Sequence, residues 1–497
     1  MEDELVDVTK KSTLVFSGKI IYTILGFFFT FVVARLMGAE IYGRFMYIFT
    51  FISFFNTLAT FGFSQGLVSF LPKLKEENKN DELRSLISFD FVFSFILSVI
   101  IISIIIINKN SIATNLLNNS NLAGLLVWVA PILILNVFIR ISNGIFRGTN
   151  SINTYIKGHD FIGPVFKLIF IVILYFTGLD FFGVLISYYL SLLFTLIYFL
   201  IKIYKSGYIG KINKKFKQIY ISHLKFSFPL LLTGLLGFFI NKTDTFMIGY
   251  FINESSVGIY NIALKVGTMS NFSLVAFITM FAPLISKLFH KGELGKLANI
   301  YKAITKWILA INLSFLSIII LFNENILLLF GEEFLVGSAA LIFVACGQTV
   351  NAAVGPAEQV NIMTGYPQYA FYNNLVTVFI NVGLNYLLIP IYGILGAAIA
   401  SLVSVATVNI IRVLLVYKNH KFHPYNRNFL SVIYSIILTF IIIYAIKNIV
   451  VLNPILELFI LSFSFVVVVS LIYYLFGLDD NDKLIFNAFY KKIKGRK

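Results

Sequence analysis

Stretches of about twenty mostly apolar residues recur along the whole of this 497-residue chain, and FILSVIIISIIII at 95–107 carries no charge at all. Segments of that length match the hydrocarbon thickness of a bilayer, and a soluble chain has no interior large enough to bury many of them. Apolar residues make up 58% of the chain and charged residues 12%. The fold class that follows is an all-α polytopic membrane protein. The N-terminal MEDELVDVTKK is acidic and polar and lacks the basic region and small-residue cleavage site of a leader, so no removed segment is expected. Cys346 is the single cysteine, which leaves no intramolecular disulfide and no cysteine metal cluster; it reads as core filler.

Apolar windows bounded by polar turns predict fourteen spans, near 14–34, 45–70, 86–107, 123–146, 161–177, 182–201, 226–249, 257–286, 303–322, 336–358, 371–389, 393–416, 430–449 and 453–476. With the N-terminus inside, the loops of one side hold 29 Lys and Arg and those of the other side 4. That asymmetry is what the positive-inside rule gives for an even number of spans in a cell membrane, both termini cytoplasmic. The formal charge of +16 is therefore read as basic loops that set topology and touch anionic membrane lipids, with no nucleic-acid partner. The expected plan is an N-terminal lobe over 1–201, a basic linker over 202–225, a second lobe over 226–417, two further spans within 418–476 and a basic tail over 477–497.

Six cations fall inside spans, Lys19, Arg140, Lys167, Lys242, Lys265 and Arg412, against fewer acids, Asp90, Asp244 and Glu358, with Asp160 near a span end. Charges at such depth are costly and face a bundle interior or a watery cavity. Helical spacing groups them with other polar residues: Ser12, Lys19, Thr23, Gly26 and Thr30; Asn136, Arg140, Asn143 and Arg147; Asn261, Lys265 and Thr268; Gln348, Asn351, Gly355 and Glu358; Asn374, Thr377, Asn381 and Asn385. In FFINKTDTFMIGYF (238–251), Lys242 and Asp244 are two apart and point about 200° from each other, so each needs its own partner. A single Asn or Thr in such a stripe serves equally to tie helices together. The charged stripes as a set predict a water-filled, net cationic cavity suited to a phosphate or pyrophosphate group. Candidate ligands for it are Lys19, Arg140, Lys242 and Lys265, with Asn261, Asn374 and Asn381; Asp244 and Glu358 are candidate carboxylates for a coupling cation. Lys167 and Arg412 lack polar company, read as interfacial cations and stand outside the site. The histidines, His159, His223, His290, His420 and His423, fall in or beside cytoplasmic loops, without a metal-binding motif.

The sequence also repeats itself. TFVVARLMGAEIYGRFMYIF lies over TFMIGYFINESSVGIYNIAL at an offset of 215, which aligns Thr30 with Thr245 and Gly43–Phe45 with Gly258–Tyr260. FRGTNSINTYIK (146–157) corresponds loosely to MTGYPQYAFYNN (363–374), and GLDFFGVLIS (178–187) to IPIYGILGAAIAS (389–401). Six spans per copy preserve orientation, so the repeat is parallel. ARLMGAEIYGRF (34–45), the stretch from Asp244 through VGIYNIALKV (257–266), the Pro283 and Ser286 pair, and LNYLLIPIYGILGAAIAS (384–401) resemble the polysaccharide transport branch, the O-antigen-type flippases, of the multidrug/oligosaccharidyl-lipid/polysaccharide exporter superfamily. The resemblance runs through nearly the whole chain.

It implies a two-lobed, V-shaped bundle that moves polyisoprenyl-(pyro)phosphate-linked oligosaccharide from the cytoplasmic to the outer leaflet by alternating access, with its site between the lobes. It also implies a basic residue in the central cavity after the GIYN-like turn, where Lys265 stands, and an acid in the seventh span, where Asp244 stands. A monomer is expected, with a glycan polymerase or transferase as candidate partner. No GxxxxGK[ST] loop points to ATP and no cofactor is expected. Energy is left to coupled Na+ or H+ or to the membrane potential, worth about 2.3 kcal/mol per charge per 100 mV and so about 4.6 kcal/mol for a dianion. A drug or organic-cation antiporter predicts twelve spans and an acid-dominated cavity, whereas a lipid II flippase shares the scaffold and the cationic lumen. A membrane glycan polymerase or transferase calls for a sizeable external loop, and the outward loops here are short; an enzyme is not expected.

Overall fold

The computed structural model describes residues 2–476, with side chains from Leu14 onward except Phe16, Met280 and Phe476. The expected basic tail over 477–497 and the side chain of Ser12 lie outside the described residues. Among the described residues every regular element is a helix, the one structure that satisfies each peptide N–H and C=O within a single segment in lipid. The principal helices are α1 (Glu2–Thr60), α2 (Phe63–Glu76), α3 (Asn80–Ile107), α4 (Leu122–Gly148), α5 (Ile152–Tyr175) and α6 (Asp180–Lys205). They continue with α7 (Lys217–Phe251), α8 (Glu254–Gly267), α9 (Asn271–His290), α10 (Leu294–Leu328), α11 (Ser338–Val354), α12 (Ala357–Met363), α13 (Gln368–Tyr392), α14 (Ile394–His420), α15 (Phe429–Ile449) and α16 (Pro454–Phe476).

Twelve described helical segments are long and apolar enough to cross a membrane, and the pair α8 and α9, bent by 47°, makes a thirteenth. One of the twelve, Ser17–Glu76, has 60 residues. At 1.5 Å per residue it extends for about 90 Å, three times a hydrocarbon core of about 30 Å. Gly38, at φ 83° and ψ 173°, interrupts it, and the arms on either side are each long enough to cross. The breaks inside spans have local causes. Phe61 and Gly62 both take positive φ and end α1 inside the expected second span, because a left-handed residue cannot extend a right-handed helix. Gly355 at φ 57° and Pro356, which has no N–H to donate, end α11 within the expected tenth span, so Glu358 lies in the first turn of a separate short helix, α12.

Most hydroxyls of the polar stripes bond their own helix. Thr30 donates to the Gly26 carbonyl at 3.0 Å, Thr268 to that of Leu264 at 2.7 Å and Thr377 to that of Asn373 at 2.8 Å. Such back-bonding lets a hydroxyl sit at depth without an outside partner.

The contacts divide the chain into two compact units, Met1–Gly258 and Ile259–Lys497. In the first, α7 lies against α1 and α2, α2 against α4, and α5 against α6. In the second, α10, α11, α14 and α13 follow one another in contact, while α15 and α16 cover α10 through Phe322, Val432, Ile436 and Phe465. Lys306, counted among loop cations in the charge asymmetry, is 1% exposed on α10.

Within the first unit the repeat leaves a reciprocal mark. A Cβ at Gly43 would collide with the Glu254 carbonyl oxygen and one at Gly258 with the Ala39 carbonyl oxygen, and the offset of 215 exchanges these two contacts. Arg44 sits beside them, its Nε 2.6 Å from Glu254 Oε2 and its Nη2 2.6 Å from Glu40, while Asn119 donates to Glu254 Oε1 at 2.7 Å. Gly43→Ala is expected to destabilise the protein by about 1–3 kcal/mol through overpacking and to lower its thermal unfolding midpoint. Gly124→Ala, where a Cβ meets nothing within 4 Å, should leave that midpoint unmoved when both are followed by tryptophan fluorescence.

Candidate functional site

Two adjoining cavities occupy the first unit. The larger, about 360 Å³, is lined by Thr57 and Thr60 of α1, Ser64 and Gln65 at the start of α2, Arg140 and Arg147 of α4, His159 of α5 and Leu230, Leu231 and Gly234 of α7. The smaller, about 170 Å³, includes Tyr22, Phe29, Asn136, His159, Lys167 and Tyr188 in its lining. His159 borders both.

Local structure explains how these side chains come together. Arg140 and Arg147 are seven residues apart on α4, two turns of one face. Arg140 is solvent-accessible within the cavity although it lies in mid-helix. Among the described residues no carboxylate lies within ion-pair distance of Arg140 or Arg147. His159 belongs to a π-helical turn, Ile156–Ile162, inside α5. Its ring stacks on Tyr22 at 5.2 Å and on Tyr155 at 5.3 Å, and its Nδ1 donates to Asp160 Oδ1 at 2.6 Å. That bond fixes the tautomer and turns Nε2 away from the carboxylate. Lys167 places its ammonium 3.7 Å from the centre of the Phe29 ring and 4.8 Å from that of Tyr188, cation–π contacts that hold the charge over aromatic faces.

Of the candidate ligands and coupling carboxylates named from the sequence, Arg140 lines these cavities. Lys19 is exposed on α1 and Lys242 half-buried on α7, and neither borders them. Asp244, two residues on, is 8% exposed, so the pair does face different surroundings, as its spacing requires. In the second unit Asn261 is buried and Lys265 half-buried on α8, and Asn374 is half-buried on α13. Asn381 is buried between α13 and α14, accepting from Asn385 at 3.0 Å and donating toward Ser401 at 3.4 Å, a bond between helices. Glu358 receives Arg412 at 2.7 Å, and Arg412 also donates to Asn409.

Three sequence readings are corrected. Lys167 is a cavity residue held by aromatic rings, not an interfacial cation. Arg412 is the partner of Glu358, its side chain 17% exposed. His159 and His223 are not loop histidines: the first lines both cavities, and the second is fully buried on α7 against Asp90. Aromatic contacts and pairs between distant segments decide all three, and helical spacing on one segment carries neither. The signal that was available is compositional: Tyr22, Tyr155 and Tyr188 ring a region that also holds His159 and Lys167.

A family model described as "Polysaccharide biosynthesis protein" matches residues 8–289. The probable low-salt glycan biosynthesis flippase Agl15 of Haloferax volcanii is 28% identical over 151 residues, which are 30% of this chain and 31% of that protein; the match thus spans about a third of its length. Among solved structures, that of the lipid II flippase MurJ in an inward closed conformation aligns with a TM-score of 0.71 at 17% identity, covering 97% of this chain and 99% of that one. An inward-facing multidrug resistance MATE family transporter of the MOP superfamily aligns at 0.68 and 15% identity, over 81% of this chain and 94% of that one. The fold is therefore that of these transporters, as the sequence resemblance implied.

If the arginine cavity attracts anions, binding of inorganic pyrophosphate to the detergent-purified protein, followed by calorimetry, should weaken at least tenfold, about 1.4 kcal/mol, when Arg140→Gln and Arg147→Gln are combined. Lys19→Gln, outside the cavity, should change it by less than about threefold.

Proposed function

Because the chain belongs to the polysaccharide biosynthesis protein family, we propose that it is a flippase that carries a polyisoprenyl-(pyro)phosphate-linked oligosaccharide from the cytoplasmic to the outer leaflet by alternating access. The observation that carries this reading is the cavity in which Arg140, Arg147 and His159 face open space with, among the described residues, no carboxylate paired to either arginine. Such a site is electrostatically incomplete and suits a polyanionic group, which Arg recognises with a fork of donors. The hydroxyls and amide of Thr57, Thr60, Ser64 and Gln65 around it match the polarity of a sugar without demanding one stereochemistry.

The cargo also has a tail too apolar to leave hydrocarbon. In the second unit a groove of about 400 Å³ runs among α9, α10, α15 and α16, bordered mainly by apolar residues such as Phe272, Ile311, Phe315, Val432 and Val466. A prenyl chain fits that chemistry. Lys19, Lys242 and Lys265 serve the head group elsewhere on its path, and the membrane potential or an inward cation gradient supplies the drive. The protein acts as a monomer and performs no bond-making chemistry of its own. Lipid II is the second cargo to test, since its pyrophosphate and glycan present the same chemistry. An organic cation is disfavoured by the two arginines.

The test is flipping of a fluorescent lipid-pyrophosphate oligosaccharide in proteoliposomes under imposed potential and ion gradients. Wild type is expected to flip it. Arg140→Gln with Arg147→Gln should reduce the rate at least tenfold while the protein remains monodisperse. Export of organic cations with no glycan flipping would transfer the assignment to a drug antiporter.

A further inference from the structure

The first unit contains a second titratable pair that the head-group cavity does not use. Asp90 of α3 and His223 of α7 are both 0% exposed, with His223 Nε2 3.0 Å from Asp90 Oδ2. Phe63 of α2 stacks on the imidazole at 5.2 Å and Phe70 meets it edge-on at 4.9 Å. Around the pair, polar atoms are left over: Asp90 Oδ1, His223 Nδ1, Ser94 Oγ one turn along α3 and Ser227 Oγ one turn along α7 are all buried without a hydrogen-bond partner. Buried polar atoms are rarely left so, and four around one ion pair mark a place whose protonation or hydration changes.

The electrostatic surroundings are simple. Among the described residues, His223 is the titratable group within ion-pair distance of Asp90. The face of α2 toward the imidazole offers Phe63, Gly66 and Phe70. Tyr220, one turn before His223, is engaged with Ser85 at 2.5 Å and with the Asn213 carbonyl at 3.1 Å. On α7 itself Lys225 is exposed.

In such a setting charge balance dictates the proton count. With one shared proton the pair is neutral overall, as imidazolium and carboxylate or as imidazole and carboxylic acid. Without it a net negative charge remains among aromatic rings, which burial disfavours. In water the imidazole gives up that proton above pH ~6.5. Separation of α7 from α2 and α3 therefore releases one proton above that pH, and retention of the proton holds the helices together. Pro229, within α7 and less than two turns beyond His223, removes a backbone hydrogen bond where the freed segment would bend.

We propose that Asp90 and His223 form a proton-binding site that latches the N-terminal part of α7 to α2 and α3 and opens on proton release. Its use in driving transport rests on the flippase reading; the site itself does not.

The experiment is hydrogen–deuterium exchange of the full-length protein in lipid nanodiscs, without glycan, across pH and corrected for the intrinsic chemical rate. Protection of residues 217–228 should fall by up to about tenfold per pH unit above ~6.5, the slope of one linked proton. Peptides from α15 should stay level and serve as the internal reference. The slope should vanish in Asp90→Asn, where no buried carboxylate calls for the proton. A wild-type protein whose 217–228 region shows no slope beyond that of α15 overturns the proposal whether or not the variant folds. So does a slope that persists in folded Asp90→Asn, or protection set by sodium at constant pH, which would mark a metal-cation site instead. Failure of glycan flipping would leave these readings standing, since no glycan is present.

Discussion

A peptide group in hydrocarbon has no water to bond, and from this constraint the plan of the molecule follows. It makes every described element helical, and it makes any interruption of a helix expensive unless the freed groups meet protein or a wet cavity. The interruptions in the first unit are placed accordingly. Gly62, which ends α1 with φ 76°, is itself part of the larger cavity wall, and the π turn of α5 brings His159 to the same cavity. Irregular backbone and polar lining thus coincide, and the arginines of α4 reach the space that the broken helices leave.

The sorting of charge is the second consequence. Among the described residues, buried and half-buried carboxylates are matched in pairs: Glu254 by Arg44, Glu358 by Arg412, Asp90 and Asp160 by neighbouring histidines. Matched pairs of this kind cost desolvation on both sides and persist when their geometry is good. Arg140 and Arg147 stand apart from that pattern. Two arginines, with hydroxyls and an amide beside them, share that cavity wall.

The class of fold, a helical chain that crosses the membrane many times, was legible in the sequence because it rests on a local, periodic signal. Hydrocarbon thickness sets the spacing of apolar windows, and the offset of 215 aligns Gly43 with Gly258, two positions that turn out to need the absence of a side chain for the same reason. Arg140 was legible because residues seven apart share a helix face. The rest depends on partners far apart in the chain. Nothing along α14 announces that Arg412 meets Glu358, and nothing along α7 announces that His223 meets Asp90. Asn381 looked like a cavity residue and is a bolt between helices, since polar side chains perform both tasks with the same spacing.

The π turn at Ile156–Ile162 acts as a phase slip. In an uninterrupted α-helix, residues eight apart are displaced by about 80° around the axis; one extra residue accommodated in a wider turn reduces the effective separation to seven steps, about 20°. His159 and Lys167, eight apart, accordingly share a cavity wall that an unbroken wheel would have split between two faces. The register of α5 is then a variable that a single-residue deletion within 156–162 could reset, rotating Lys167 and everything beyond it away from Phe29 and Tyr188 while leaving composition and hydrophobicity nearly unchanged. In this helix the choice of which side chains see the interior is made by the length of one turn rather than by the identity of any residue on it.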